Sequence, residues 1–99
     1  MQVLGEPVQN RKLVAELTLT NPLPGPLSGC VFTMEGAGLT RGQKVQELDS
    51  PVGPGEEAKV RVDFVPQQSG LRKMVVDFES DKLTGVKGYR NVIIAPLSK

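Results

Sequence analysis

Apolar and polar residues alternate at period 2 along most of this chain, the pattern of strands that bury one face and solvate the other. Leu13, Ala15, Leu17 and Leu19 form one face of a run whose other face is Val14, Glu16, Thr18 and Thr20, and Asn21-Pro22-Leu23-Pro24-Gly25-Pro26 stops it. Cys30, Phe32 and Met34 alternate with Val31, Thr33 and Glu35 before Gly36-Ala37-Gly38. Ala58, Val60, Val62 and Phe64 alternate with Lys59, Arg61, Asp63 and Val65 until Pro66 closes the run. Met74, Val76 and Phe78 alternate with Lys73, Val75, Asp77 and Glu79, and Gly70 marks the turn before them. Three weaker segments complete the series. Val3-Leu4 reads as a strand stub before Gly5, and Lys44 to Leu48 as a short edge strand bounded by Gly42 and Asp49-Ser50-Pro51. Val86 to Ala95 ends in the unbroken apolar run Val92-Ile93-Ile94-Ala95, which predicts burial on both faces of that strand.

About seven short strands separated by turn clusters, with helical periodicity nowhere, predict an all-β fold. The expected form is an immunoglobulin-like antiparallel β-sandwich or barrel occupying residues 1–99 as one domain. Phe32, Phe64 and Phe78 all fall on inward positions. The antibody-type cysteine pair and the buried tryptophan of related sandwiches are missing, since the chain has one cysteine and no tryptophan. Tyr89, the single tyrosine, reads as an amphipathic residue at the sheet surface.

Composition narrows the chemistry. Twelve basic residues against 11 acidic ones give a formal charge of +1, and the basic residues are dispersed, which argues against nucleic acid or acidic membranes as partners. The absence of histidine removes Ser-His-Asp and Cys-His catalysis and most zinc sites, so the chain is not expected to be an enzyme by itself. A lone cysteine allows no intrachain disulfide, which favours a reducing, cytoplasmic compartment. No stretch approaches the roughly 20 apolar residues of a membrane helix, so membrane insertion is not expected.

Individual motifs mostly reduce to structure. Cys30 is in phase with Phe32 and Met34 and reads as a small core hydrophobe without a base to activate it. Gly36 to Gly42 follows a strand, yet no helix comes after it to hold a phosphate, so it reads as a turn. Asp77 and Glu79 project from one strand face at period 2 and cannot converge with Asp81 or the Glu56-Glu57 pair on a calcium ion. Val14, Val31, Val75 and Ile93 fall on outward positions, where a cluster would mark a docking face.

An ordered series of short motifs then resembles a known family. Asn21-Pro22-Leu23-Pro24, Gly29-Cys30, Phe32-Thr33, Glu35-Gly36-Ala37-Gly38-Leu39, Pro54-Gly55-Glu56-Glu57 and Lys59-Val60-Arg61 come first; Gly70-Leu71, Phe78-Glu79-Ser80-Asp81-Lys82-Leu83, Val86-Lys87-Gly88 and Arg90-Asn91-Val92-Ile93-Ile94 follow. Together they resemble the last β-barrel domain of the transglutaminases, closest to the tissue-type members. The resemblance implies a parent enzyme that links protein glutamine to lysine through an isopeptide bond, using a Cys-His-Asp triad and calcium in a separate core. It implies no cofactor in this domain. The family's guanine-nucleotide contacts lie between the core and the first barrel, upstream of this sequence, and Cys30 matches a non-catalytic family cysteine. The parent's setting extends to extracellular or membrane-associated sites.

The expected role is therefore a non-catalytic C-terminal regulatory or docking domain of a calcium-dependent transglutaminase, its partners being the catalytic core and first barrel, and other proteins besides. The alternative is a free-standing Ig-like interaction module; a monomer is expected in either case. In the family's inactive form the two barrels fold over the active site, so this barrel must present a surface to the core. The candidate docking face is Lys73, Val75, Asp77, Arg90 and Ile93, with Val75 and Ile93 partly exposed at its centre.

Overall fold

The computed structural model describes residues 1–97. It contains seven strands and no helix: β1 (Gln2–Leu4), β2 (Leu13–Thr20), β3 (Val31–Glu35), β4 (Lys44–Glu47), β5 (Glu57–Phe64), β6 (Gly70–Glu79) and β7 (Val86–Ile94). They form two antiparallel sheets, one of three strands in the order β1-β2-β5 and one of four in the order β4-β3-β6-β7. This is an immunoglobulin-like sandwich. β6 begins at Gly70 itself, three residues before the alternation becomes legible, because Gly70, Leu71 and Arg72 pair with Ile94, Ile93 and Val92.

The alternating faces meet as the period requires. Leu13, Ala15 and Leu17 of β2, Ala58, Val62 and Phe64 of β5, Phe32 and Met34 of β3, Met74 and Phe78 of β6, and Val92 and Ile94 of β7 enclose one core. Phe32 and Phe78 are directly paired and pack edge to face, with ring centroids 4.9 Å apart at 63°. The four remaining apolar members of this core come from loops: Leu27, Cys30, Leu39 and Val52. Leu39 reaches the core from the Gly36–Gly42 turn, which is closed by bonds from the Leu39 and Thr40 amides to the Gly36 carbonyl. Gly36 has to be a glycine there, since a Cβ at that position would lie 2.8 Å from the Lys73 carbonyl.

The β2–β3 loop is held by one buried polar side chain. Asn21 donates through Nδ2 to the carbonyls of Gly25 (2.9 Å) and Val52 (3.0 Å), while its Oδ1 accepts from the Leu23 amide (2.9 Å). The Asn21 amide and carbonyl also bond Glu56 and Gly55, so the proline-rich loop is tied to the β4–β5 connection at both levels.

One expectation is corrected. The Val92–Ala95 run is not buried on both faces: Val92 and Ile94 are buried, whereas Ile93 is 71 per cent exposed and Ala95 is exposed. β7 is the outer strand of its sheet, and nothing among the described residues covers that sheet's outer face, so period-2 alternation persists through an all-apolar segment. β4 and β7 are the two edge strands of the four-stranded sheet. The seam between β1 and β7 is closed at one end only, where Val8 bridges Ala95 through Ala95 N–H to Pro7 (2.9 Å) and Gln9 N–H to Ala95 (2.8 Å).

Candidate functional site

The two outward faces of the sandwich differ in chemistry. On the three-stranded sheet, Glu16 faces its partner Arg61 at 3.2 Å and Lys59 at 3.8 Å, Lys59 also meets Glu57 at 3.4 Å, and Lys12 meets Asp63 at 3.2 Å. The Lys12 hydrogen bond holds the Asp63 carboxyl below its usual range. This face is covered by ion pairs.

The four-stranded sheet is different. Its outward rows run Leu71 beside Ile93, Lys73 beside Asn91, Glu35 beside Val75 beside Tyr89, and Val45 beside Thr33 beside Asp77 beside Lys87. Among the described residues, the exposed large hydrophobics are Val45, Val65, Leu71, Val75, Tyr89, Ile93 and Leu97, and all but Val65 and Leu97 stand on this one face. Leu71 is 67, Val75 40 and Tyr89 69 per cent exposed. Lys73 Nζ lies 4.3 Å from the Tyr89 ring centroid, so its aliphatic stem joins the two apolar rows while its charge rests on the aromatic face. Asp77 Oδ1 is buried in the adjacent row with no hydrogen-bond partner among the described residues.

Lys73, Val75, Asp77 and Ile93 therefore share one face, as the alternation requires. Arg90 does not join them. It pairs with Met74, whose side chain is fully buried, and so projects to the inner side of the sheet at the open seam, where its Nη1 donates to the Met1 carbonyl at 2.9 Å. The mistake is one of parity: Arg90 is an even position on a strand whose outward residues are odd. Leu71 and Tyr89 belong to the face and were not assigned to it, although Tyr89 does lie at the sheet surface. The signal for Leu71 was its equal parity with Lys73 and Val75, hidden because the strand starts earlier than its polar alternation.

Cys30 is buried, its Sγ lies 3.6 Å from the Leu27 carbonyl, and burial, reinforced by the negative charge of Asp81, pushes its thiol pKa up, away from the reactive thiolate. Among the described residues no group of three or more His, Cys, Asp or Glu side chains could hold a metal ion, and no helix is long and apolar enough to cross a membrane.

The fold is an Ig-like domain with one outer face lined by ion pairs and the other by exposed apolar side chains. Comparison with known proteins places it. Residues 1–96 match the family model described as the transglutaminase family, C-terminal ig like domain. The chain is 67% identical over 99 residues to protein-glutamine gamma-glutamyltransferase 2 of Gallus gallus, covering 100% of this chain and 14% of that protein. It is 62% identical over 96 residues to the Homo sapiens protein of that name, covering 97% of this chain and 14% of the relative. The crystal structure of red sea bream transglutaminase superposes with a TM-score of 0.88 at 42% identity, over 94% of this chain and 14% of that one. The chain belongs to the transglutaminase family, as its C-terminal Ig-like domain, and spans a small fraction of the length of the relatives it matches.

Proposed function

We propose that this domain is a non-catalytic regulatory element of a calcium-dependent protein-glutamine gamma-glutamyltransferase, and that it acts by docking the outer face of β3, β6 and β7 onto the preceding part of its own polypeptide. The observation that carries this reading is the asymmetry of the two faces. One is covered by ion pairs, while the other exposes Leu71, Val75, Tyr89 and Ile93 together. Asp77 adds a polar element, because its orphaned oxygen is costly in the free domain and is relieved by any rearrangement on docking that offers it a donor. The cross-linking chemistry, glutamine to lysine with release of ammonia, belongs to the catalytic core of the parent. Calcium acts in that core as well.

Contacts between domains of one chain are typically moderate in area and partly polar, about 600–1,500 Å², and can separate when a ligand favours the open arrangement. A charge placed in the contact raises the energy of the docked state alone. In the full-length enzyme, Val75→Asp and Ile93→Asp are expected to lower the calcium concentration for half-maximal cross-linking by about fivefold or more, with the maximal rate unchanged. Arg61→Ala, on the ion-paired face, should leave the calcium response as it is. Unaltered calcium responses in both aspartate variants would remove this face from the docked contact.

A further inference from the structure

The free edge of β7 combines three features that the docking face does not use. The first is an unpaired strand edge. β7 is hydrogen-bonded to β6 on one side, while along its other side the described backbone pairs only at the far end, through Ala95. Every second residue from Val86 to Asn91 therefore presents its backbone amide and carbonyl outward. The second is a slot beneath that edge, a cavity of about 220 Å³ lined by Met1, Leu19, Phe32, Val76, Phe78 and Val86 and reaching the aromatic pair of the core. The slot is open because Gly88 stands on the inner face, opposite Val76. A Cβ at Gly88 would meet nothing within 4 Å, and its backbone is not in the left-handed region, so neither crowding nor conformation requires a glycine there. The third is charge. Lys87, next to Gly88 on the outer face, and Arg90, two residues beyond it on the inner face, are both exposed; neither makes an ion pair among the described residues, and Arg90 donates to the Met1 carbonyl.

We infer that this seam is a β-strand-addition site for an extended acidic segment of another polypeptide, which pairs along Lys87 to Asn91 and inserts one apolar side chain into the slot below Gly88. Main-chain hydrogen bonds to the edge provide affinity and the slot provides specificity. Side chains of an added strand alternate inward and outward, so the residue beside Gly88 enters the slot. The residues beside Lys87 and Arg90 meet a positive charge, and carboxylates fit both.

The test uses the 99-residue chain, labelled with nitrogen-15, and two synthetic heptapeptides of one sequence, with leucine at the fourth position to enter the slot and glutamate at the second and fifth positions to lie beside Arg90 and Lys87 in an antiparallel pairing. One has ordinary amides; the other is N-methylated at the amides that would face β7. The ordinary peptide is expected to shift and protect the backbone amides of Lys87 to Asn91, and the N-methylated one to bind at least tenfold more weakly. Gly88→Leu fills the slot and is expected to weaken binding of the ordinary peptide at least tenfold, with the melting temperature maintained. If Gly88→Leu does not fold, the two peptides decide the question on the unaltered chain. Equal binding of both peptides, shifts confined to β4 or to the Leu71–Ile93 row, a dimer joined through β7, or no binding at all would each overturn the site.

Discussion

Truncating Phe78 to alanine is expected to cost about 3–5 kcal/mol of folding stability, the range for removing a buried aromatic side chain and leaving a cavity behind. Phe78 is 2 per cent exposed and packs edge to face on Phe32 across the β3–β6 pair, so its removal strips a neighbour from a second aromatic ring as well. A domain of this length is stable by only about 5–15 kcal/mol, and each kcal/mol lost corresponds to roughly 4–8 °C in melting temperature. Phe78→Ala should thus melt well over 10 °C below the parent, as a rough figure from the same scale. Phe64→Ala, at a site equally inaccessible but remote from that pair, should fall in the same range. The Phe32→Ala/Phe78→Ala double variant should lose less than the sum of the two single variants, by about 0.5–1.5 kcal/mol, because the aromatic contact is counted twice in that sum. Denaturant unfolding checks both statements. A Phe64→Ala or Phe78→Ala loss within about 1 kcal/mol would be incompatible with a core closed over these rings.

Asn21→Ala is expected to cost about 3 kcal/mol, on the order of 1 kcal/mol for each of the three side-chain hydrogen bonds removed. The loss comes from what stays behind: the Gly25 and Val52 carbonyls lose their donor and the Leu23 amide its acceptor. Asn21→Asp separates this account from simple loss of volume. The carboxylate can still accept from Leu23, but it presents negative oxygen to two carbonyls in a buried place. Its folded-state pKa must then lie above its unfolded value. Protonation restores one donor, so Asn21→Asp should approach the parent's stability as pH falls below about 4 and lose ground as pH rises through the raised folded value. Asn21→Ala should show no such convergence. Matching pH profiles for the two variants would sink the hydrogen-bonding explanation.

Period 2 was enough to place β2, β3, β5 and β6 and the inward phenylalanines, because each of these strands is half-buried and its two faces differ in chemistry, while β1, β4 and β7 were placed by their bounding turns and apolar residues. It was blind where a residue is buried without alternation. Leu27, Leu39 and Val52 lie in loops that fold under the sheets, and Asn21 looked like punctuation before Pro22 although it is the buried fastener of the loop. The apolar run at Val92 to Ala95 misled for the opposite reason. Hydrophobicity records what a side chain would prefer, and Ile93 is left outside by the lack of anything to cover it. The docking face was legible wherever one strand's parity defined it, as for Lys73, Val75 and Asp77. It failed at Arg90, which lies three residues from Ile93 on the same strand and therefore on the opposite face. Gly88 carried no warning, since an empty slot is a property of four strands and not of one residue.

The pairing of β2 with β5 has a consequence in time. Thr20 meets Glu57 and Leu13 meets Phe64, so the three-stranded sheet cannot close until the intervening chain, with β3 and β4 in it, has been drawn into a loop. β6 and β7, by contrast, are joined by a short turn in which the Ser80 amide bonds the Leu83 carbonyl at 2.7 Å. Their hairpin can form within microseconds, while the sandwich as a whole belongs to the slow class of milliseconds to seconds. Until β2 and β5 arrive, the long hairpin carries its apolar inner face and its free edge uncovered, and this is the interval in which newly made chains are most exposed to mispairing.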